Sequence, residues 1–89
     1  MAKLKDTIEM MSSENWQDRF IAEYLQVKIR YQSLHNMLVK YKAGTLDFTP
    51  SCSYEILAEQ AGYMGKYLNC LEVRAEIEGV KLPNNYGDK

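Results

Sequence analysis

The chain has 89 residues, of which 11 are basic and 12 acidic, and its formal charge is -1. This balance excludes the broad positive surface with which proteins hold long DNA or RNA by the phosphates, so no long nucleic acid is expected as a partner. No segment offers the ~20 successive apolar residues that cross a bilayer, and the N-terminal residues lack the apolar stretch of a signal peptide. We therefore predict one soluble, intracellular domain over residues 1–89, with no membrane partner.

The first predicted element is a short amphipathic helix within residues 1–12. Leu4, Ile8 and Met11 follow one another at the spacings of one helix face. Ser12 or Ser13 is then expected to cap the next helix, because a serine hydroxyl accepts a hydrogen bond from the free N–H groups of a first turn.

A long second helix is predicted over residues 14–43. Asp18 places negative charge near its N-terminus, and Gly44 suits the left-handed backbone that ends many helices. From Tyr24 onward the apolar positions alternate in steps of three and four, as in the seam of a coiled coil. The apolar positions are Trp16, Phe20, Tyr24, Val27, Tyr31, Leu34, Leu38 and Tyr41.

A third helix is predicted over residues 53–79, with Ser51 or Ser53 as its cap. Its seam has the same alternating steps and consists of Leu57, Ala61, Met64, Leu68, Leu71 and Ala75. Because the two long helices have similar lengths and a short connection, they are predicted to fold back on each other as an antiparallel hairpin. Residues 80–89 are predicted to form a loose tail.

Each long helix also carries a second apolar stripe, beyond the one that a hairpin buries. The stripes are Ile56, Tyr63, Tyr67, Cys70 and Ile77 on the third helix, and Ile21, Leu25, Ile29 and Val39 on the second. Apolar surface this wide requires another layer, which the short first helix is too small to supply. The predicted fold class is therefore all-α: a short N-terminal helix and a long antiparallel helical hairpin, assembled into a homo-oligomer.

No catalytic constellation stands out, and we predict no enzymatic activity, no cofactor and no metal. His35 is the only histidine, and it has no cysteine or carboxylate at metal-ligand spacing. Gly62 and Gly65 lie inside a predicted helix rather than in a phosphate-binding loop. Close helix packing is therefore favoured over ligand contact for both glycines.

The candidate ligand-binding residues mix aromatic rings with cations near the start of the second helix. Rings stack on nucleobases, while arginine and lysine pair with phosphates. The set is Trp16, Arg19, Tyr24, Lys28, Arg30 and Tyr31, and core packing competes with ligand contact for its seam members. Trp16 is either a stacking surface or a hydrophobic plug at the end of the helices. Lys28 is either a plain surface charge or a cation at the margin of an interface, where symmetry supplies it twice.

Two stretches of the sequence, "WQDRFIAEYLQVKIRYQSLHNML" and "LAEQAGYMGKYLNCLEVRAEIEG", are joined by a polar connection. Together they resemble the hairpin domain shared by phage anti-CBASS and anti-Thoeris proteins. The likeness covers residues 14–80, and its strongest part is Gln60, Met64, Tyr67, Leu68, Leu71 and Arg74. Since the extra β-rich portion of the anti-Thoeris branch is missing, the chain looks like the anti-CBASS branch.

The resemblance implies a viral nucleotide sponge that acts in the cytoplasm of a bacterial host. Such proteins bind cyclic dinucleotides such as 3',3'-cyclic GMP-AMP, and also cyclic trinucleotides, and sequester these defence signals without cleaving them. They form homohexamers in which pairs of protomers build the dinucleotide pockets. Lys28 matches the pocket lysine, and Trp16 matches the aromatic residue by proximity, since the Gly-Tyr-Arg segment of some relatives is lacking. The same resemblance adds Arg74 to the candidate ligand residues.

Two other functions remain open at this point. A helical interaction protein would dock on a host factor through the extra apolar stripe. A small helical enzyme of the chorismate mutase kind would hold a dianionic substrate with several arginine and lysine residues. The usual opening of those enzymes, an arginine followed three residues on by an aliphatic–Asp pair, is missing after Arg19.

Overall fold

The computed structural model describes residues 4–83, and every regular element within that range is helical. A 3-10 turn at Leu4–Thr7 leads into helix α1 (Ile8–Met11), which is followed by the long helices α2 (Trp16–Ala43) and α3 (Tyr54–Glu78). The predicted all-α class is therefore confirmed for the described part of the chain. No helix between residues 4 and 83 combines the length and apolar character that crossing a membrane requires.

Helix α2 begins two residues later than predicted and ends at the predicted residue. Its cap is Asn15, whose side-chain oxygen accepts a hydrogen bond of 2.9 Å from a backbone N–H of the first turn. Neither predicted serine fills that position, and Ser13 instead donates to the Asp18 carboxylate over 2.9 Å. At the other end, Gly44 has a left-handed φ of 80°, which glycine adopts at little cost because it has no Cβ.

Helix α3 is one residue shorter than predicted at each end. Ser53, one of the two predicted caps, accepts a hydrogen bond of 3.3 Å from the backbone N–H of Ile56. At the C-terminus, Gly79 takes a left-handed φ of 73°. The chain then turns back, and the next residue donates its N–H to the carbonyl oxygen of Ala75 over 2.9 Å.

The residues directly after α3 pack against the helices. Val80 is buried in the core, and Leu82 is packed against it. The predicted loose tail is therefore wrong for these residues, because the left-handed turn at Gly79 directs the chain back toward the core. The rest of that prediction, residues 84–89, lies outside the described residues.

Contacts between α2 and α3 pair residues in reverse order along the two helices. Tyr24 meets Glu72, whereas Tyr41 meets Tyr54, which is the order expected of helices that run in opposite directions. The longest dimension of the molecule is 43 Å. This matches the ~42 Å of a 28-residue helix with a rise of ~1.5 Å per residue, so α2 spans the molecule.

The core lies along the contact between α2 and α3. Its buried residues are Phe20, Tyr24, Leu25, Leu68, Leu71, Ala75 and Val80. All of them except Leu25 and Val80 belong to the predicted seams. Trp16 and Tyr41, at the two ends of the α2 seam, are exposed. The alternating steps of three and four thus identified most of the core.

The two glycines inside α3 differ in their surroundings. A Cβ on Gly65 would lie 3.6 Å from the Tyr31 ring, so the predicted close helix packing is confirmed at that position. A Cβ on Gly62 would have no neighbour within 4 Å. Helix packing within one chain therefore does not explain Gly62, and close packing against another chain stays a prediction at this position.

The N-terminal segment packs on α2 through a different face from the one predicted. Thr7 is fully buried; its hydroxyl donates to the Leu4 carbonyl oxygen over 2.7 Å and accepts from Nε2 of Gln26 over 2.9 Å. Leu4, Ile8 and Met11 are exposed instead. The reason is the 3-10 turn, whose ~3 residues per turn break the α-helical spacing on which the prediction relied.

The second apolar stripe of α3 is uncovered within one chain. Ile56, Tyr63, Tyr67, Cys70 and Ile77 are all exposed, and Ile77 retains 77% of its accessible surface. We call these five residues the outer α3 stripe. On α2 the second stripe is covered in part, since Leu25 is fully buried whereas Val39 is exposed.

Candidate functional site

A groove with a volume of about 460 Å³ runs beside the contact between α2 and α3. Its walls come from α2, from α3 and from the residues that follow α3. The lining residues are Tyr24, Lys28, Glu72, Ala75, Glu76, Val80, Lys81, Leu82 and Pro83. Tyr24 and Lys28, both predicted ligand residues, therefore share one recess, which we call the Lys28 groove.

Lys28 belongs to a chain of hydrogen bonds that connects the two long helices. Its Nζ donates to the Tyr24 hydroxyl over 3.2 Å, and that hydroxyl donates to Oε2 of Glu72, also over 3.2 Å. The ammonium group lies 5.5 Å from the centre of the Tyr24 ring, which is within cation–π range. The partly buried Lys28 is thus bonded to a hydroxyl that a contact between the two long helices holds in place.

Tyr24 reaches the groove through its hydroxyl and not through a face of its ring. Only 3% of the residue is exposed, so the ring offers no surface on which a base stacks. Burial raises the pKa of the phenol above its ordinary value of 10.0, and the nearby Lys28 opposes that effect. The hydroxyl is therefore protonated at neutral pH and remains a hydrogen-bond donor.

Trp16 and Arg74 lie at a different place, where both contact the Phe20 ring near the start of α2. The Trp16 and Phe20 rings meet edge to face with centroids 6.4 Å apart, and Trp16 remains 42% exposed. The Arg74 guanidinium lies 4.8 Å from the centre of the Phe20 ring. Its Nε also pairs with Oε2 of Glu78 over 2.9 Å. We call Trp16, Phe20, Arg74 and Glu78 the end cluster.

The charge of Arg74 is stabilised locally. The hydrogen bond that it donates to Glu78 raises the pKa of the guanidinium above its ordinary value. This pair joins neighbouring turns of α3, and both side chains are accessible to water, so it contributes little to stability. Arg74 is therefore a permanent cation that a phosphate can reach.

Arg19 supports the turn that precedes α2. Its Nη1 donates to the carbonyl oxygen of Ser13 over 2.7 Å. This hydrogen bond directs the guanidinium back along the chain, and Arg19 does not line the Lys28 groove. Arg30 is exposed on α2 and does not line it either.

Helical geometry places the Lys28 groove and the end cluster on opposite flanks of α3. With ~100° between successive residues, Glu72 and Glu76 fall on one side of the buried line of α3. Arg74 falls on the other side, as does Tyr67, which donates a hydrogen bond to Glu23. The structure therefore divides the predicted aromatic and basic surface into two separate places.

Sequence reasoning missed Glu72, Glu76 and Lys81, which line the groove with Lys28. The contact between Glu72 and Tyr24 could have been predicted from their positions relative to the connection between the two long helices. The position midway between Tyr24 and Glu72 is Phe48, in the middle of the connection, and folding about that point brings the two residues together. Lys81 follows α3 and has no such counterpart.

The groove combines groups that bind anions with groups that accept hydrogen bonds. Lys28 and Lys81 supply ammonium groups, Tyr24 supplies a hydroxyl, and Glu72 and Glu76 supply carboxylates. Such a set holds a charged ligand through complementary contacts. Within residues 4–83, no group of three or more His, Cys, Asp and Glu side chains is arranged to hold a metal ion.

Another recess of about 550 Å³ lies at the opposite end of the molecule, where α2 ends and α3 begins. Its walls include Tyr41, Lys42 and Tyr54. The centroids of the two tyrosine rings are 5.3 Å apart, and Nζ of Lys42 lies 5.7 Å from the centre of the Tyr54 ring. None of these residues was predicted as a site residue.

The fold and the groove define a small all-helical protein with a mixed-charge recess beside its core. A family model described as Sequestin matches residues 14–77, so the chain belongs to the Sequestin family. The family name indicates sequestration of a ligand, which is a binding role rather than a catalytic one. A search of curated proteins gave no match, and neither did a search of solved structures.

Proposed function

We propose that the protein is a viral sponge that binds cyclic dinucleotides in the Lys28 groove and holds them without cleaving them. One observation carries the proposal: Tyr24 and Glu72 position Lys28 in a groove of about 460 Å³. Recesses of ~300–1,000 Å³ are typical of sites for small molecules. Membership of the Sequestin family supports the sequestering role.

The chemistry of a cyclic dinucleotide is complementary to two copies of this groove. The ligand carries two phosphates and two flat bases in one compact ring. A twofold axis would present Lys28 twice, once for each phosphate. The carboxylates of Glu72 and Glu76 are suited to accept hydrogen bonds from N–H groups of the bases. Sequestration requires affinity and copy number, and it requires no nucleophile and no general base.

Self-association is part of the proposal because a twofold site needs a second copy of the chain. The outer α3 stripe supports it, since this apolar surface is exposed in a single chain. Burial of such surface is worth ~25 cal/mol per Å². We propose that antiparallel hairpins assemble through this stripe, with a hexamer as the final assembly.

The end cluster is proposed as the second place of ligand contact. Arg74 carries a charge that is accessible to a phosphate, and Trp16 has an exposed ring on which a base can stack. We propose that this cluster contributes to a site for cyclic trinucleotides. The proposed ligands are second messengers of bacterial CBASS defence, and the proposed place of action is the cytoplasm of the host.

A thermal-shift assay with 3',3'-cyclic GMP-AMP tests the proposed function. A ligand at a thousandfold excess over its dissociation constant stabilises the folded state by ~4 kcal/mol per site, so a clear rise in melting temperature is expected. The linear dinucleotide is the control and should give a much smaller rise. Heating the complex should then release the cyclic nucleotide intact, and recovery of cleaved nucleotide would contradict the sponge.

A second function is favoured by the same exposed stripe. A helical interaction protein would use the outer α3 stripe to dock on a host factor. Sedimentation of the purified protein separates the two proposals, because a sponge assembles without any other protein. A stable single chain at micromolar concentration that binds no cyclic nucleotide would favour the docking function.

A further inference from the structure

The third wall of the Lys28 groove is formed by residues that lie beyond the family match. The match ends at residue 77, whereas Val80, Lys81, Leu82 and Pro83 line the groove. The groove is therefore completed by a segment that lies outside the matched residues.

This segment has a defined position because its apolar residues are anchored. Val80 is buried, and its N–H donates to the Ala75 carbonyl oxygen over 2.9 Å. Leu82 packs against the core cluster. Lys81 lies between these two anchors, so its backbone is fixed while its exposed side chain can move toward a ligand.

The charges of the groove show why a second lysine matters. The α2 and α3 walls contribute the ammonium of Lys28 and the carboxylates of Glu72 and Glu76. These three groups alone sum to a formal charge of -1, which opposes an anionic ligand. Lys81 brings the sum to zero and places a second cation in the same recess.

We infer that Lys81 is a phosphate-binding residue of the Lys28 groove and that the segment after α3 sets its preference for ligands with two phosphates. The inference rests on the proposed function. Each groove then offers a phosphate one lysine held by Tyr24 and one lysine that closes on it from the third wall. A ligand with two phosphates engages this pair of lysines in both copies of the groove, whereas a ligand with a single phosphate engages the pair in one copy.

Calorimetric titration of 3',3'-cyclic GMP-AMP into the full chain tests the inference. Lys81→Ala should weaken binding about tenfold, which corresponds to ~1.4 kcal/mol, and Lys81→Arg should restore most of it. The weakening should be largest at about 50 mM salt and shrink at about 500 mM, because salt screens exposed charges. AMP should bind weakly to the parent chain and to Lys81→Ala alike.

Lys66→Ala is the matched control, since Lys66 is an exposed lysine of α3 that does not line the groove. Its affinity should equal that of the parent chain. If Lys81→Ala binds as tightly as Lys66→Ala at low salt, Lys81 has no role in phosphate binding. If the parent chain itself binds no cyclic dinucleotide, the proposed function fails first, and this inference fails with it.

Discussion

The Lys28 groove and the end cluster both place a cation against an aromatic ring, yet they hold the cation in different ways. In the groove, hydrogen bonds connect Lys28 through Tyr24 to Glu72 on the other long helix. In the end cluster, Arg74 pairs with Glu78 one turn away on its own helix. Each cation therefore has a polar partner one turn away on its own helix, but the partner of Lys28 is a buried tyrosine that is also bonded to the other long helix, whereas the partner of Arg74 is accessible to water.

The Lys28 groove is therefore more preorganised for a ligand than the end cluster. Groups that are already fixed lose less conformational entropy on binding, so a preorganised site binds more tightly. The groove meets this condition through a buried tyrosine and an anchored third wall. The end cluster offers an exposed ring and an accessible guanidinium, which must exchange part of its contact with Glu78 for a phosphate.

The largest expected effect concerns the ring that supports the end cluster. Phe20→Ala removes a buried ring that contacts both Trp16 and Arg74, and we expect the free energy of unfolding to fall by about 3–5 kcal/mol. Chemical denaturation measures it. Phe48→Ala is the control, because Phe48 is exposed in the connection and its loss should cost less than about 0.5 kcal/mol. Equal losses would show that Phe20 is not a core anchor.

The next largest effect is on ligand affinity, and it distinguishes the Lys28 groove from the end cluster. Lys28→Ala should weaken the binding of 3',3'-cyclic GMP-AMP by about tenfold to a hundredfold, or ~1.4–2.8 kcal/mol, because a preorganised cation is lost. Arg74→Ala should leave this affinity within about threefold, since Arg74 lies on the other flank of α3. Calorimetric titration measures both variants. The reverse ranking would move the dinucleotide site to the end cluster.

The Trp16→Ala variant tests whether the exposed ring stacks on a base or acts as a hydrophobic plug at the end of the helices. We expect binding of a cyclic trinucleotide, the ligand proposed for the end cluster, to weaken by about tenfold, because stacking of one base is worth ~1–3 kcal/mol. The free energy of unfolding should fall by no more than about 1.5 kcal/mol, the scale of one aromatic contact. A larger loss of stability with unchanged binding would identify Trp16 as a hydrophobic plug.

The smallest expected effect is a change in the free energy of unfolding caused by a substitution in α3, the helix that carries both flanks. Gly62→Ala should raise the free energy of unfolding by ~1 kcal/mol, because alanine favours a helix interior and the added Cβ meets nothing within 4 Å. Gly44→Ala should lower it, since Gly44 has a φ of 80° that strains other residues. A weaker assembly in Gly62→Ala, seen by sedimentation, would reveal a close contact between chains at this position.

The sequence predicted the helices and the core well because both depend on local spacing. Phe20, Tyr24 and Leu68 recur at the steps of a helix seam, and their burial follows from that periodicity. Gly44 and Ser53 mark helix ends through backbone chemistry that is equally local. The face of the N-terminal segment was wrong because a 3-10 turn changes the period around Thr7.

The candidate site was harder to predict because it depends on which residues meet across the helices. Lys28 was found from its residue type, but its partners Tyr24 and Glu72 are set by the register between α2 and α3. Lys81 was missed because its position depends on the backward turn after Gly79. Trp16 was grouped with Lys28 from nearness in sequence, and the structure places it in the end cluster.

A crystal structure of the protein with bound 3',3'-cyclic GMP-AMP tests the central claim most directly. The account predicts that a phosphate oxygen lies within ~3.2 Å of Nζ of Lys28, in the groove that Glu72 and Lys81 also line. A ligand seated against Arg74 in the end cluster, or between Tyr41 and Tyr54 at the opposite end, with the Lys28 groove holding no ligand, would contradict it.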